Sequence, residues 1–370
     1  MKKIPLIRPY ITQEVKQAVC DVLESGHLTE GPMTQALEQA FRDYIGCGYA
    51  IAVTSCTTGL ETALRAIGIS PGDEVIVPDY TYPATACAVR IVGATVVIVD
   101  VDPETMLIDY DAIEGAITDR TKAVIPVSIF GNPLDYDRLN RIKERFGIII
   151  LEDAACSIGA RYRGVCVGNL ADISVFSLHP RKFITTGEGG IITTNNKAWA
   201  EWIQSYKHFG MGKADSRLKA QFKRIGTNYK LSDIQAAVGL VQMRHIEALL
   251  ETRIRLSERY HEFLEGSPGI SISRVTAGGR HSRQSFCVFV GNRDGVMTRL
   301  REQNIEVQIG TYSLSRQAAF SPSSVCRIVG DMAGSLWAFD HCLTLPLFEG
   351  LAAEDQQFVV ARLLEAMEAV

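Results

Sequence analysis

Lys182 lies in Ser177-Leu178-His179-Pro180-Arg181-Lys182, which leads into Thr185-Thr186-Gly187-Glu188-Gly189-Gly190 just after the β-branched run Ile173 to Phe176. Pro180 and the glycines read as an irregular, fixed loop, so this lysine is held rather than swinging on a solvated helix. Such a setting lets a lysine lose its proton and attack an aldehyde; an ordinary surface lysine is the other reading. Upstream, the apolar run Gly147 to Leu151 ends in Glu152-Asp153-Ala154-Ala155. A carboxylate at a buried strand end is costly unless a cation or hydrogen-bond donors meet it. A pyridinium nitrogen is one such cation, held protonated as an electron sink; a helix cap or a magnesium ligand are the alternatives. Ser55-Cys56-Thr57-Thr58-Gly59, small and hydroxylated, opens a helix after Ala50 to Thr54, and free N–H groups at a helix start suit a phosphate. The plainer reading is a Ser/Thr cap. Finally, Pro78-Asp79-Tyr80-Thr81-Tyr82-Pro83 places aromatics after another strand, where a planar ring can be stacked or where tyrosines merely pack.

These four places share a context. Each follows a β-branched run, and in open α/β sheets ligands bind outside the carboxyl ends of the strands. The runs are Ala50 to Thr54, Glu74 to Val77, Thr95 to Val99, Ala123 to Val127, Gly147 to Leu151, Ile173 to Phe176 and Gly190 to Thr193. They alternate with amphipathic stretches such as Leu60 to Ile67 and Tyr136 to Arg145, the order of a parallel sheet covered by helices. Several lack polar alternation, as strands buried on both faces must. Before them, Glu14 to Tyr44 reads as helices broken by the loop Gly26 to Pro32, placed to lie against a neighbouring subunit. After Ser232 a helical pattern runs through Asp233 to Phe263 and bridges to a smaller part. That part carries strand candidates Ile270 to Ser273, Phe286 to Val290 and Ile305 to Ile309, and helices Met297 to Gln303 and Ala353 to Glu368. The fold class expected is α/β: a large, doubly wound, mostly parallel sheet domain over residues 1–240 with its N-terminal helical segment, and a smaller α+β domain over 241–370.

With 370 residues, 46% hydrophobic and 22% charged, the chain has apolar material for one large core and a smaller one. A net charge of -4 gives no basic field for nucleic acid, and the basic stretch Lys207 to Arg224 reads as a surface loop. Without a signal-like or membrane-length apolar run, the expectation is a cytoplasmic protein with no membrane partner. Nine scattered cysteines without a C-x-x-C pair argue against disulfides and a zinc site, so no metal is expected.

Ser177-x-His179-Pro180-x-Lys182 with the Thr-Thr-Gly-Glu-Gly-Gly tail, taken with the other pieces in this order, resembles the DegT-type sugar aminotransferase family of fold type I enzymes dependent on pyridoxal 5'-phosphate (PLP). The likeness runs over essentially the whole chain. It implies that Lys182 holds PLP as a Schiff base and carries the proton between substrate and cofactor. It also implies that Asp153 pairs with the pyridine nitrogen, Tyr82 stacks on the ring, and Thr57, the backbone of Thr58 and Ser177 bind the phosphate. Asn228, in Thr227-Asn228-Tyr229-Lys230, matches the residue that reaches the partner subunit's phosphate, so a homodimer with shared sites is implied. His27, Leu28 and Thr29 of the N-terminal loop, with His179 and Tyr312, fall where the sugar is read. The implied reaction moves the amino group of L-glutamate onto a keto sugar, a 4-keto-6-deoxy or 3-keto sugar on a nucleotide. Its place is amino-sugar biosynthesis for a surface polysaccharide such as lipopolysaccharide or for a glycosylated metabolite. Three positions depart from the pattern. Cys56 stands where a glycine is common, Cys156 where a glutamine bonds the ring hydroxyl, and Ser315 where many relatives have histidine. A thiol is a weak donor, so the Cys156 contact is expected to be lost or passed to water. A cysteine desulfurase-like lyase shares the histidine before the lysine but not Pro180 or the glycine tail. A sugar dehydratase of this family carries histidine at the lysine position, and a non-catalytic scaffold has no reason to keep lysine, aspartate and phosphate-site hydroxyls together.

Overall fold

The computed structural model describes residues 3–212 and 217–369; residues 213–216 of the basic stretch expected to be a loop lie outside them. One sheet of eight strands dominates, formed by β1 (Tyr49–Val53), β2 (Glu74–Pro78), β3 (Thr95–Val99), β4 (Thr121–Val124), β5 (Ile149–Asp153), β6 (Ile173–Ser177), β7 (Gly190–Thr194) and β8 (Cys326–Val329). Their spatial order is β1-β7-β6-β5-β4-β2-β3-β8. All neighbours are parallel except β7, which runs against both β1 and β6. The apolar runs explain this layering. In β3 the residues Val97 and Val99 enter one apolar cluster while Val96 and Ile98 enter the other, so period-two side chains bury both faces. The first cluster also takes Leu37 and Phe41, and the second takes Leu60 and Leu64.

Those side chains come from helices α1 (Gln13–Ser25), α2 (Pro32–Ile45), α3 (Cys56–Ala66) and α4 (Ala84–Ile91) and those that follow them. Local chemistry sets their ends: Thr12 caps α1, Pro32 occupies the first position of α2, and Gly26 and Gly46 close these helices in the left-handed region. The helix expected over Asp233 to Phe263 is two helices, Asp233–Arg244 and Ile246–Leu264, meeting at His245.

A third apolar cluster, including Tyr260, Phe286, Val288, Leu343 and Val359, marks a smaller unit. Its antiparallel sheet joins Phe286–Phe289, Cys342–Leu345 and Gln308–Ile309. Ile270 to Ser273, expected as a strand, contributes only an isolated bridge from Ser271 to Phe289. After residue 310 the chain returns to the large sheet. Tyr312–Ser313 pairs with Tyr80–Thr81, and β8 extends the large sheet beside β3. This stretch therefore brings the C-terminal part of the chain back over the carboxyl edge of the large sheet.

Candidate active site

At that edge the turn after β1 starts α3. Ser55 caps the helix: its Oγ accepts from the Thr58 N–H at 3.1 Å, while the Ser55 N–H donates to Thr58 Oγ1 at 3.0 Å. The Thr58 N–H, assigned to the phosphate in the sequence reading, is therefore spent inside the capping box. The first N–H groups of a helix have no partner within it, so the remaining amides of this turn are the ones chemically suited to an anion. The turn rests on the start of β7, where a Cβ on Gly190 would stand 2.7 Å from the Ser55 carbonyl. Ser177 lies opposite Gly190 at the end of β6, and its hydroxyl accepts from the His179 N–H at 3.3 Å.

Asp153 ends β5, 5% exposed. Its Oδ2 accepts from Thr85 Oγ1 at 2.8 Å and its Oδ1 from the Ala155 N–H at 3.1 Å, with Cys56 Sγ 4.0 Å from Oδ1. Burial pushes this carboxyl above its ordinary range; the Thr85 and Ala155 bonds and the charge of Lys182 work against that. Among the described residues no group of three or more His, Cys, Asp or Glu is placed to hold a metal. Thr85 was not legible as a site residue. It reads as an ordinary small residue two places into α4, and only the fold turns its hydroxyl toward Asp153.

Lys182 follows β6 in a loop held on several sides. Gln284 donates to the Arg181 carbonyl and accepts from the Phe183 N–H, and Gln242 brackets the Thr185 backbone in the same way. Lys182 Nζ lies 2.9 Å from Cys156 Sγ. The thiol expected to lose its contact thus faces the lysine itself. Burial disfavours the ammonium, but Cys156, Cys56 and Asp153 all favour it, and the net direction is up. His179 is half-buried; its Nδ1 accepts from the Arg181 N–H at 3.1 Å, and burial lowers its pKa.

Tyr82 is 65% exposed and Tyr312 38%, and their rings tilt against each other at 6.1 Å. Asp79 ties this corner together. It accepts from the Ser315 N–H and from the hydroxyls of Ser313, Ser315 and Ser335. Ser315, one of the departures, is thereby used inside the protein. The other expected residues lie farther out. His27, Leu28 and Thr29 are exposed in a loop fixed by Asp233, whose carboxylate takes the N–H groups of Gly31, Met33 and Thr34. Asn228 is exposed, and its Oδ1 accepts from Lys230 Nζ.

The donor set fits pyridoxal 5'-phosphate. A buried carboxylate met by two hydrogen-bond donors suits a cationic ring nitrogen, a helix start suits a phosphate, and a lysine lies close to that carboxylate. Comparison with known proteins agrees. Residues 9–364 match the model of the DegT/DnrJ/EryC1/StrS aminotransferase family. An uncharacterised protein of Methanocaldococcus jannaschii is 32% identical over 365 residues, 95% of this chain and 94% of that protein. The aminotransferase TlmJ of Streptoalloteichus hindustanus superposes with a TM-score of 0.93 at 27% identity, covering 100% of both chains. A putative sugar aminotransferase of Streptococcus pneumoniae, Spr1654, solved in PMP and PLP forms, gives a TM-score of 0.92 at 30% identity over 100% of this chain and 98% of that one in its PMP form.

Proposed function

Because the chain belongs to the DegT/DnrJ/EryC1/StrS aminotransferase family of PLP-dependent enzymes, we propose that it transfers the amino group of L-glutamate to a keto sugar carried on a nucleotide, a 4-keto-6-deoxy or 3-keto sugar. The observation that carries this reading is the convergence of Lys182, Asp153 and the first turn of α3 at one sheet edge, with the Tyr82–Tyr312 pair opening outward from it. When bound, PLP supplies the carbonyl that takes up the amino group and the ring that draws electrons from the carbon losing its proton.

The chain's own residues do the rest. Lys182 Nζ takes the proton from the donor's α-carbon and returns one to the sugar carbon. Its ammonium-favouring surroundings suit the state in which it has just taken up that proton. Asp153 would keep the ring nitrogen charged, while the first turn of α3 with the Thr57 and Ser177 hydroxyls would hold the phosphate. Tyr82 would stack on the ring face. Tyr312, His179 and the loop of His27, Leu28 and Thr29 meet the sugar, whose less polar faces suit tyrosine rings. Phe222 and Ile225, 66% and 95% exposed beside Asn228, support a homodimer in which Asn228 reaches the partner subunit's phosphate site. The test is a panel of nucleotide-linked 4-keto-6-deoxy and 3-keto sugars with L-glutamate, read by 2-oxoglutarate. Release matched by an amino sugar supports the proposal, and no release with any acceptor overturns it.

A further inference from the structure

We infer that Thr85, oriented by Thr81, is a positioning residue that holds the Asp153 carboxylate ionised and aimed at the cofactor's ring nitrogen. Both threonines are buried, at 0% and 1% exposure, so each hydroxyl needs a partner within the protein. Thr85 Oγ1 has one proton and three acceptors in reach: Asp153 Oδ2 at 2.8 Å, Thr81 Oγ1 at 3.0 Å and the Tyr82 carbonyl at 3.2 Å. The carboxylate is nearest and charged, so it takes the proton. Thr81 Oγ1 lies 3.0 Å from Thr85 Oγ1. Thr85's proton is committed to Asp153, so Thr81 is the donor in that pair, and the two hydroxyls form a line pointing at Oδ2. Each hydrogen bond in such a line polarises the next.

The other groups around Asp153 do not substitute for this. The Ala155 N–H serves Oδ1. Cys56, from α3, is a weak donor at 4.0 Å, and burial raises its thiol pKa. Lys182, from the loop after β6, bonds Cys156. Glu152 is engaged separately by Ser128, Tyr136 and Ser174. Thr85 is thus the side-chain hydrogen bond that reaches Oδ2, and it opposes the burial that raises the Asp153 carboxyl. Thr81 also pairs through its backbone with Tyr312, so the line ends on the strand that carries a residue assigned to the sugar.

This inference rests on the role given to Asp153, and not on the identity of the amino acceptor. The test uses holoenzyme loaded with 15N-labelled PLP and follows the ring nitrogen by NMR against pH. Thr85→Val keeps the volume and removes the hydroxyl. The expected results are a roughly tenfold fall in the proton affinity of the ring nitrogen and PLP binding weaker by about five- to tenfold, with Thr85→Ser close to wild type. Thr81→Val is expected to shift both in the same direction by less. In an Asp153→Asn background, Thr85→Val should add little, because the two side chains act as one unit. An unchanged nitrogen titration in Thr85→Val overturns the inference. If Thr85→Val does not fold, Thr81→Val and Thr85→Ser decide: a Thr81→Val titration equal to wild type, or a Thr85→Ser titration unlike it, overturns it. A full Thr85→Val effect in the Asp153→Asn background refutes the coupling. An Asp153→Asn enzyme with an unaltered nitrogen titration refutes the role of Asp153 itself, which separates the two failures.

Discussion

Lys182 and Asp153 carry opposite demands, and each gives a measurable outcome. Lys182→Ala is expected to bind PLP non-covalently and to lose transamination, because the residue proposed to tether the cofactor is also the one proposed to move the proton; turnover close to wild type refutes the assignment. Asp153→Asn is expected to lower turnover by a large factor, about a hundredfold or more, with a smaller loss of cofactor retention, read from kcat and from PLP dissociation. The same substitution has a stability consequence of opposite sign. The Asp153 carboxyl sits above its ordinary value of 3.8 because of burial, so the folded chain holds this proton more tightly than the unfolded one. The stability it contributes is present below the unfolded value and is lost as pH rises through the folded one. Apo Asp153→Asn should therefore melt above apo wild type at pH 7, and the gap should close below about pH 4, where both forms are neutral. Glu152, raised by burial, is raised further by the Asp153 charge, so the substitution relaxes that shift as well and works in the same direction at pH 7. Removing an activating charge that the fold tolerates only at a cost is the usual exchange between stability and activity.

Gly190 decides at the scale of elements whether the turn at Ser55, proposed to hold the phosphate, can sit where it does. A Cβ there meets Ser55 backbone atoms at 2.7 Å, and a backbone cannot swing aside as a long side chain can. Gly190→Ala is expected to cost about 1–3 kcal/mol in thermal or denaturant unfolding and to weaken PLP binding more than it weakens the fold, because the displaced element is the phosphate turn. A variant with native cofactor affinity would show that β7 does not support the turn. Much of this scaffold was legible in the chain. The seven runs read as strands from Ala50 onward are all strands of the large sheet, because they are buried on both faces and need no polar alternation. Cys326–Val329 was not, since at the sheet edge three of its four residues are only half-buried and no apolar run betrays it. The site divides in the same way. Lysine, aspartate and the hydroxylated turn declare themselves by type and position, whereas Thr85 and Asp79 act through partners 68 to 256 residues distant, which local pattern cannot reveal.

Assembly is the scale at which the proposed sharing of the site is tested. Asn228 lies well after Lys182 in sequence, exposed, next to a segment whose Phe209, Phe222 and Ile225 also face outward at 49%, 66% and 95%. Apolar surface of this kind beside an exposed polar side chain fits a surface that a second copy covers. If Asn228 serves the neighbour's phosphate, cofactor binding and dimerisation stabilise each other, and apo-protein should dissociate on dilution at higher concentration than holo-protein, as sedimentation or light scattering would show. Complementation tests the geometry more directly. Lys182→Ala is mixed with Asn228→Glu, whose charge repels phosphate, each being inactive alone. In a mixed dimer with crossed sites, one site pairs the mutant lysine position with the mutant Asn228 position. The other then combines an intact Lys182 with an intact Asn228, and activity returns in part, up to one working site in every heterodimer. In the alternative arrangement each subunit supplies its own Asn228, every site carries one lesion, and no mixture recovers. Heterodimers verified by native mass spectrometry that stay inactive, with Asn228→Glu inactive by itself, place Asn228 in its own subunit's site; recovered 2-oxoglutarate release in proportion to heterodimer content places it in the neighbour's.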